Sequence, residues 1–135
     1  KLHYAYLRLQ DEVQLNFSGT LPTVLDGKVD LTGTIFYVGG RFMGVPPRHH
    51  GPSANSLVYG SKLWFLDPPG REFIVNEAIY DYLVRTGGAP GSMRCLQGPG
   101  DLLYVPRSWS HASICLSDCI GTSHEFSHQQ FDLRD

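Results

Sequence analysis

The stretch Gly98-Pro99-Gly100-Asp101-Leu102-Leu103-Tyr104-Val105-Pro106-Arg107-Ser108-Trp109-Ser110-His111 decides how this chain reads. A Gly/Pro turn ends in an acid, and the apolar run Leu102 to Val105 that follows suits a short strand buried on both faces. Pro106 stops the run because it has no N–H to give a sheet ladder. Trp109 and His111 stand two apart, so in an extended chain they point to one side. The result is a histidine at a strand end, within reach of a ligand.

Around that stretch the pattern is β. Short apolar runs alternate with turn residues, and the 15 glycines and 9 prolines fall largely between those runs, as in an all-β sandwich or barrel. His3 to Leu9 alternates like a half-buried strand, and Thr34-Ile35-Phe36-Tyr37-Val38 is a β-branched and aromatic strand ending at Gly39-Gly40. Arg41 to Ser53 reads as an irregular, stiff loop that carries His49 and His50. Strands are expected at Asn55–Tyr59, Lys62–Leu66, Met93–Leu96 and Leu102–Val105, with a closing hairpin from Ile114–Leu116 and Cys119–Phe126. The spacing predicts a single helix over 76–86, with Asn76 as N-cap, Gly87 past its end, and Ile79, Tyr82 and Leu83 as its apolar stripe. Asp11 to Lys28 is turn-rich, and the polar tail from Ser127 is expected to lie on the surface.

Composition bounds the rest. At 135 residues the chain suits one domain with a modest core. A formal charge of −2 gives no electrostatic footprint for nucleic acid, and no apolar run is long enough for a membrane helix. The abrupt start at Lys1 suggests a processed chain or one lacking N-terminal elements. Cys115 and Cys119 flank three residues, so they read either as a disulfide across a hairpin or as buried free thiols. Asn16-Phe17-Ser18 is a glycosylation sequon with meaning only in a secretory compartment, and the compartment stays open.

Two stretches together resemble one family. Asn55-Ser56-Leu57-Val58-Tyr59-Gly60-Ser61-Lys62-Leu63-Trp64-Phe65-Leu66-Asp67-Pro68-Pro69 is similar to the strand, Gly-x-Lys, Trp and Pro-Pro pattern of JmjC (jumonji) proteins. Gly100-Asp101-Leu102-Leu103-Tyr104-Val105-Pro106 with Trp109-Ser110-His111 resembles that family's Gly-Asp/Glu-x-x-Tyr-x-Pro and Trp-x-His, and the resemblance runs from about residue 34 to 126, nearest the small JmjC-only subgroup. It implies a single domain over 1–135 with a double-stranded β-helix of the cupin or jelly-roll type, one helix outside it, and the Fe(II)/2-oxoglutarate oxygenase superfamily. By the same resemblance His111 and His50 fall on metal-ligand positions, Lys62 on the lysine that pairs with 2-oxoglutarate, and Asn55 on a polar contact to that cosubstrate.

The departures are informative. Arg48 stands where the first ligand histidine of the family's pair belongs, and a guanidinium stays protonated and cannot ligate. A shift of register offers His49, followed two places later by Gly51 and no acid. Glu125, on the strand after His111, is the remote acidic candidate. Three readings follow. One is a JmjC-like domain with a degenerate metal site, empty or partly occupied, serving as a binding module or accessory subunit with a protein partner. A second is an active Fe(II)/2-oxoglutarate-dependent protein hydroxylase or demethylase with atypical ligands. A third is a cupin holding another metal through His49, His50, His111 and His124. His3, His124 and His128 otherwise read as surface or strand-face residues, and Trp64 and Trp109 as core wedges.

Overall fold

The computed structural model describes residues 4–9, 31–71 and 76–126. The sequon, His3, His128, the turn-rich segment 11–28 and the tail from 127 lie outside them. In chain order the elements are β1 (Tyr4–Leu9), β2 (Leu31–Gly39), β3 (Gly44–Arg48), β4 (Ser53–Tyr59), β5 (Lys62–Asp67), α1 (Ile79–Thr86), β6 (Met93–Gln97), β7 (Leu102–Val105), β8 (Ser110–Cys115) and β9 (Cys119–Phe126). They form a five-stranded sheet in the order β1-β2-β9-β4-β7 and a four-stranded sheet in the order β3-β8-β5-β6. From β6 to β9 the chain changes sheet at each step, and all pairings among the described strands are antiparallel. This is the double-stranded β-helix the resemblance implied, with one helix outside it.

Alternation sorts the residues of each strand between the barrel interior and its outer face. On β5, Lys62 and Trp64 turn inward, while Phe65 packs outward with Ala112 and Ile114 of β8 against Ile79, Tyr82 and Ala89. Leu63 and Leu83 complete that outer layer. Each fully buried side chain of this size contributes roughly 2 kcal/mol, and that burial is what holds a helix of only two turns in place.

The helix is shorter at its start than the sequence suggests. It begins at Ile79 with Ala78 at the N-cap and no side-chain cap bond, so Asn76 does not cap it. Glu77, ahead of the helix, instead accepts from Arg85 of the last turn. Gly87 closes α1 in the left-handed conformation at φ 67°, as expected for its position.

Two other expectations are corrected. The stiff loop after Arg41 contains β3 despite Pro46 and Pro47, because β3 is an edge strand and its register with β8 breaks between Val45 and Arg48. Gly44 seats this strand: a Cβ there would run into the Ser113 carbonyl of β8. β8 and β9 are not a hairpin, since they belong to different sheets. The chain turns a corner between them, and a Cys115–Cys119 disulfide spans that corner with Cα atoms 6.0 Å apart. Cys95 is free.

Candidate functional site

A cavity of about 290 Å³ opens between the two sheets. The five-stranded sheet supplies Ile35 and Tyr37 from β2, Asn55 from β4 and Ser123 from β9. The four-stranded sheet supplies Val45 and Arg48 from β3, Lys62 and Trp64 from β5, and His111 from β8, with His50 just beyond β3. Register explains the gathering, because Arg48 and Leu66 both pair with His111. The turn after Pro106 fixes the other end, where the Ser108 amide donates to the His50 carbonyl.

Lys62 is buried, with only 2% of its surface exposed. Its Nζ sits 3.9 Å from the centre of the Tyr37 ring and 4.8 Å from that of Trp64. These faces take up part of the positive charge, but no carboxylate meets it among the described residues. Burial, with the Arg48 guanidinium adding to it, pushes the Lys62 ammonium down to about 7. A buried cation without an anion is among the most expensive arrangements a core holds.

His50 and His111 pack edge to face with ring centres 4.5 Å apart. His50 Nδ1 donates to the Gly51 carbonyl at 2.7 Å, and His111 Nδ1 donates to the Trp109 carbonyl at 3.1 Å. Pinned this way, an imidazole in its neutral form keeps its lone pair on Nε2, as metal-ligating histidines do. Burial, then the neighbouring His50, Arg48 and His49, push His111 down to about 4 against the Trp109 carbonyl, so it is neutral at pH 7.

Of the residues singled out in the sequence, Lys62, Asn55, His50 and His111 all line the cavity. His49 does not, because Arg48 and His50 face inward and the residue between them turns out to solvent. His124 also stays outside: it is on the opposite face of β9 from Ser123, with its ring nitrogens 3.2 Å and 3.3 Å from the hydroxyls of Thr34 and Thr122. Glu125 stands two residues beyond Ser123 and does not line the cavity. Tyr37, which floors Lys62, and Gln97, which accepts from Trp64 Nε1 at 2.8 Å and donates to the Asn55 carbonyl at 2.7 Å, escaped the sequence reading. For Tyr37 the signal was there, since it shares a strand face with Ile35.

The iron centre of the implied superfamily needs two imidazoles and one carboxylate on one face. Here two imidazoles meet a guanidinium, and none of the residues lining the cavity is a carboxylate. Among the described residues no group of three or more His, Cys, Asp or Glu is placed to hold a metal. The described residues that line the cavity do not by themselves complete that centre.

Comparison with known proteins supports the fold and the lineage. Residues 58–132 match the JmjC domain family. Human JmjC domain-containing protein 8 is 37% identical over 91 residues, covering 63% of this chain and 34% of that protein. The arginine-specific demethylase JMJ20 of Arabidopsis thaliana is 30% identical over 67% of this chain and 23% of its own length. The ribosomal oxygenase YcfD of Escherichia coli, solved with cobalt and 2-oxoglutarate, superposes with a TM-score of 0.59 at 17% identity, over 81% of this chain and 27% of that one. The chain thus spans about a third of the length of the human relative, and at 17% identity the structural likeness speaks for the fold alone.

Proposed function

Because this chain belongs to the JmjC domain family, we propose that it is a JmjC-type barrel with a degenerate metal site, a non-catalytic binding module acting with a protein partner in a larger assembly. The observation that carries this reading is Arg48. It enters the cavity beside His50 and His111, where the family resemblance calls for a ligand, and it brings a fixed positive charge. A divalent ion there would face like charge in a partly desolvated space, and no lining carboxylate offsets it. The test is metal analysis of protein purified without chelators, read beside succinate release from 2-oxoglutarate with added Fe(II). Substoichiometric iron and no succinate above background are expected; stoichiometric iron with a third protein ligand, or steady succinate release, overturns the reading.

One observation favours a second reading. The two imidazoles are held with Nδ1 on backbone carbonyls, the arrangement a ligand pair requires. An active Fe(II)/2-oxoglutarate-dependent protein hydroxylase or demethylase would use that pair with a ligand supplied from elsewhere, in keeping with the oxygenase and demethylase names of YcfD and JMJ20. The same experiment separates the two.

A further inference from the structure

We propose that Lys62 is a carbamylation site: its side-chain amine takes up carbon dioxide inside the cavity and holds it as a carbamate. This goes beyond the degenerate-site reading and concerns the covalent chemistry of one side chain, with neither a metal nor a cosubstrate in it.

Three observations converge on it. The amine lines the cavity, is 2% exposed, and makes no hydrogen bond or ion pair among the described residues. Its surroundings favour the uncharged form. Lys62 pairs with Cys115 across β5 and β8, on the inward side, and Cys115 packs with Cys119, Tyr37 and Leu57 in one buried apolar cluster. Burial on that floor, with Arg48 adding to it, holds the ammonium down at about 7, so near neutral pH about half of the molecules carry a nucleophilic lone pair on Nζ. Finally, the cavity has room for negative charge. Its titratable and charged lining groups other than Lys62 are Tyr37 on β2, Arg48 on β3, His50 beyond it and His111 on β8, and none is a carboxylate. The Ser113 hydroxyl, opposite Trp64 on the inward side of β8, is buried without a partner among the described residues, which leaves a donor for an anion.

Charge selects carbon dioxide among electrophiles. An acyl group or an aldehyde turns the amine into a neutral or cationic product, whereas a carbamate places an anion where the described lining has none. The Arg48 charge that works against an ammonium at Nζ works in favour of a carboxylate formed on that nitrogen. Carbon dioxide is uncharged and far smaller than the cavity of about 290 Å³, so it enters at little cost, while the burial of Lys62 shuts out a modifying enzyme. The step balances without oxidant or reductant. The Nζ lone pair forms a bond to the carbon of carbon dioxide, one C=O pair moves onto oxygen, and the nitrogen gives one proton to solvent. The N–H that remains keeps the Tyr37 and Trp64 ring faces as weak acceptors.

The chain has three lysines, Lys1, Lys28 and Lys62, which makes the site easy to map. The whole chain is equilibrated in EDTA with isotopically labelled bicarbonate, the carbamate is read by carbon NMR, and triethyloxonium then traps it as a stable ester for peptide mass mapping. At about pH 7.5 the trapped label at Lys62 should exceed that at Lys1 and at Lys28 at least about tenfold, because an ordinary lysine is almost wholly protonated there. It should fall as the pH is lowered toward about 6 at fixed carbon dioxide pressure, and disappear when the gas is removed. Lys62→Met should abolish the resonance, and Arg48→Gln should weaken it roughly threefold by letting more of the lysine protonate, with unfolding curves showing that each variant is folded. Mapping on the wild-type chain decides the matter even where a variant fails to fold. Label at Lys62 no higher than at the other two lysines, trapping at the α-amine alone, or a resonance that survives Lys62→Met overturns the proposal. These outcomes are separable from those of the metal test. Neither carbamate nor turnover sinks this site and leaves the non-catalytic reading, whereas turnover with Fe(II) sinks that reading and leaves a carbamate read in EDTA as it stands.

Discussion

Replacing Lys62 with methionine should make the protein more stable, which is an unusual outcome for a fully buried position. Methionine keeps the length and most of the packing of the lysine stem and removes the charge. The magnitude follows from the environment. Burial first, and Arg48 second, take the ammonium from its usual 10.5 to about 7. At about 1.4 kcal/mol for each factor of ten, that is a cost of roughly 5 kcal/mol for holding the charged form in the fold. The faces of Tyr37 and Trp64 return about 1 kcal/mol each, leaving a net gain for Lys62→Met of roughly 3 kcal/mol near pH 7.

The sign with pH is fixed by the same shift. The folded lysine loses its proton near 7 and the unfolded one near 10.5, so between those values the unfolded chain binds more protons. Wild-type stability therefore climbs with pH through that window, the full cost applies below about 7, and the advantage of Lys62→Met narrows as pH rises. Urea unfolding of both proteins from about pH 6 to 9.5 measures it, and thermal melts at neutral pH should show a rise of roughly 6 to 10 °C in Tm. A variant less stable than wild type at pH 6 to 7, or a gap that does not change with pH, would refute the reasoning.

Three further outcomes are expected. His111 is pushed down to about 4 from 6.5, so its contribution is complete above 6.5 and falls away as pH drops toward 4; His111→Gln should flatten that acid slope, worth up to about 3 kcal/mol, in a pH series of unfolding curves. Gly44→Ala should push β3 off β8 at the Ser113 carbonyl and cost about 2 kcal/mol or more, read as a loss of unfolding free energy in urea. Cys115→Ser with Cys119→Ser should lower stability by about 2 kcal/mol through the reopened short loop, read as the difference in unfolding free energy from the oxidised wild type.

Much of the barrel was legible because its motif strands carry their own punctuation. Gly98 to Val105 gave the turn and β7 to the residue, and Gly60 and the Pro68-Pro69 pair bracketed β5. What stayed hidden has physical causes. β3 holds two consecutive prolines, which argue against a strand until its edge position and broken register are known. β8 opens with Ser-His-Ala-Ser, polar enough to read as loop, yet every residue of it is buried because it runs between the cavity and the helix layer. The spacing of Cys115 and Cys119 fits a hairpin as well as a sheet-to-sheet corner, and only the register separates them. Lys62, Asn55, His50 and His111 were singled out by resemblance and all line the cavity, while the inward place of Arg48 depended on seeing which way residues 48 to 50 alternate.

The two buried histidines among the described residues bear on the proposal that the cavity is a binding site and not leftover space in a core. His124, 2% exposed, lies between Thr34 and Thr122 with a hydroxyl beside each ring nitrogen. His111, 3% exposed, has Nδ1 fixed on the Trp109 carbonyl while Nε2 meets no protein group among the described residues. A fold that satisfies one imidazole completely has the means to satisfy the other, since a threonine is a small change on a strand face. The unmet Nε2 lies in the same lumen as the unmet Lys62 ammonium, and the inward side of β8 also carries the unmet Ser113 hydroxyl. Polar atoms left unpaired on one interior surface, against full pairing of His124 on the other face of β9, are what the proposed binding module requires, since buried polar groups are otherwise paired.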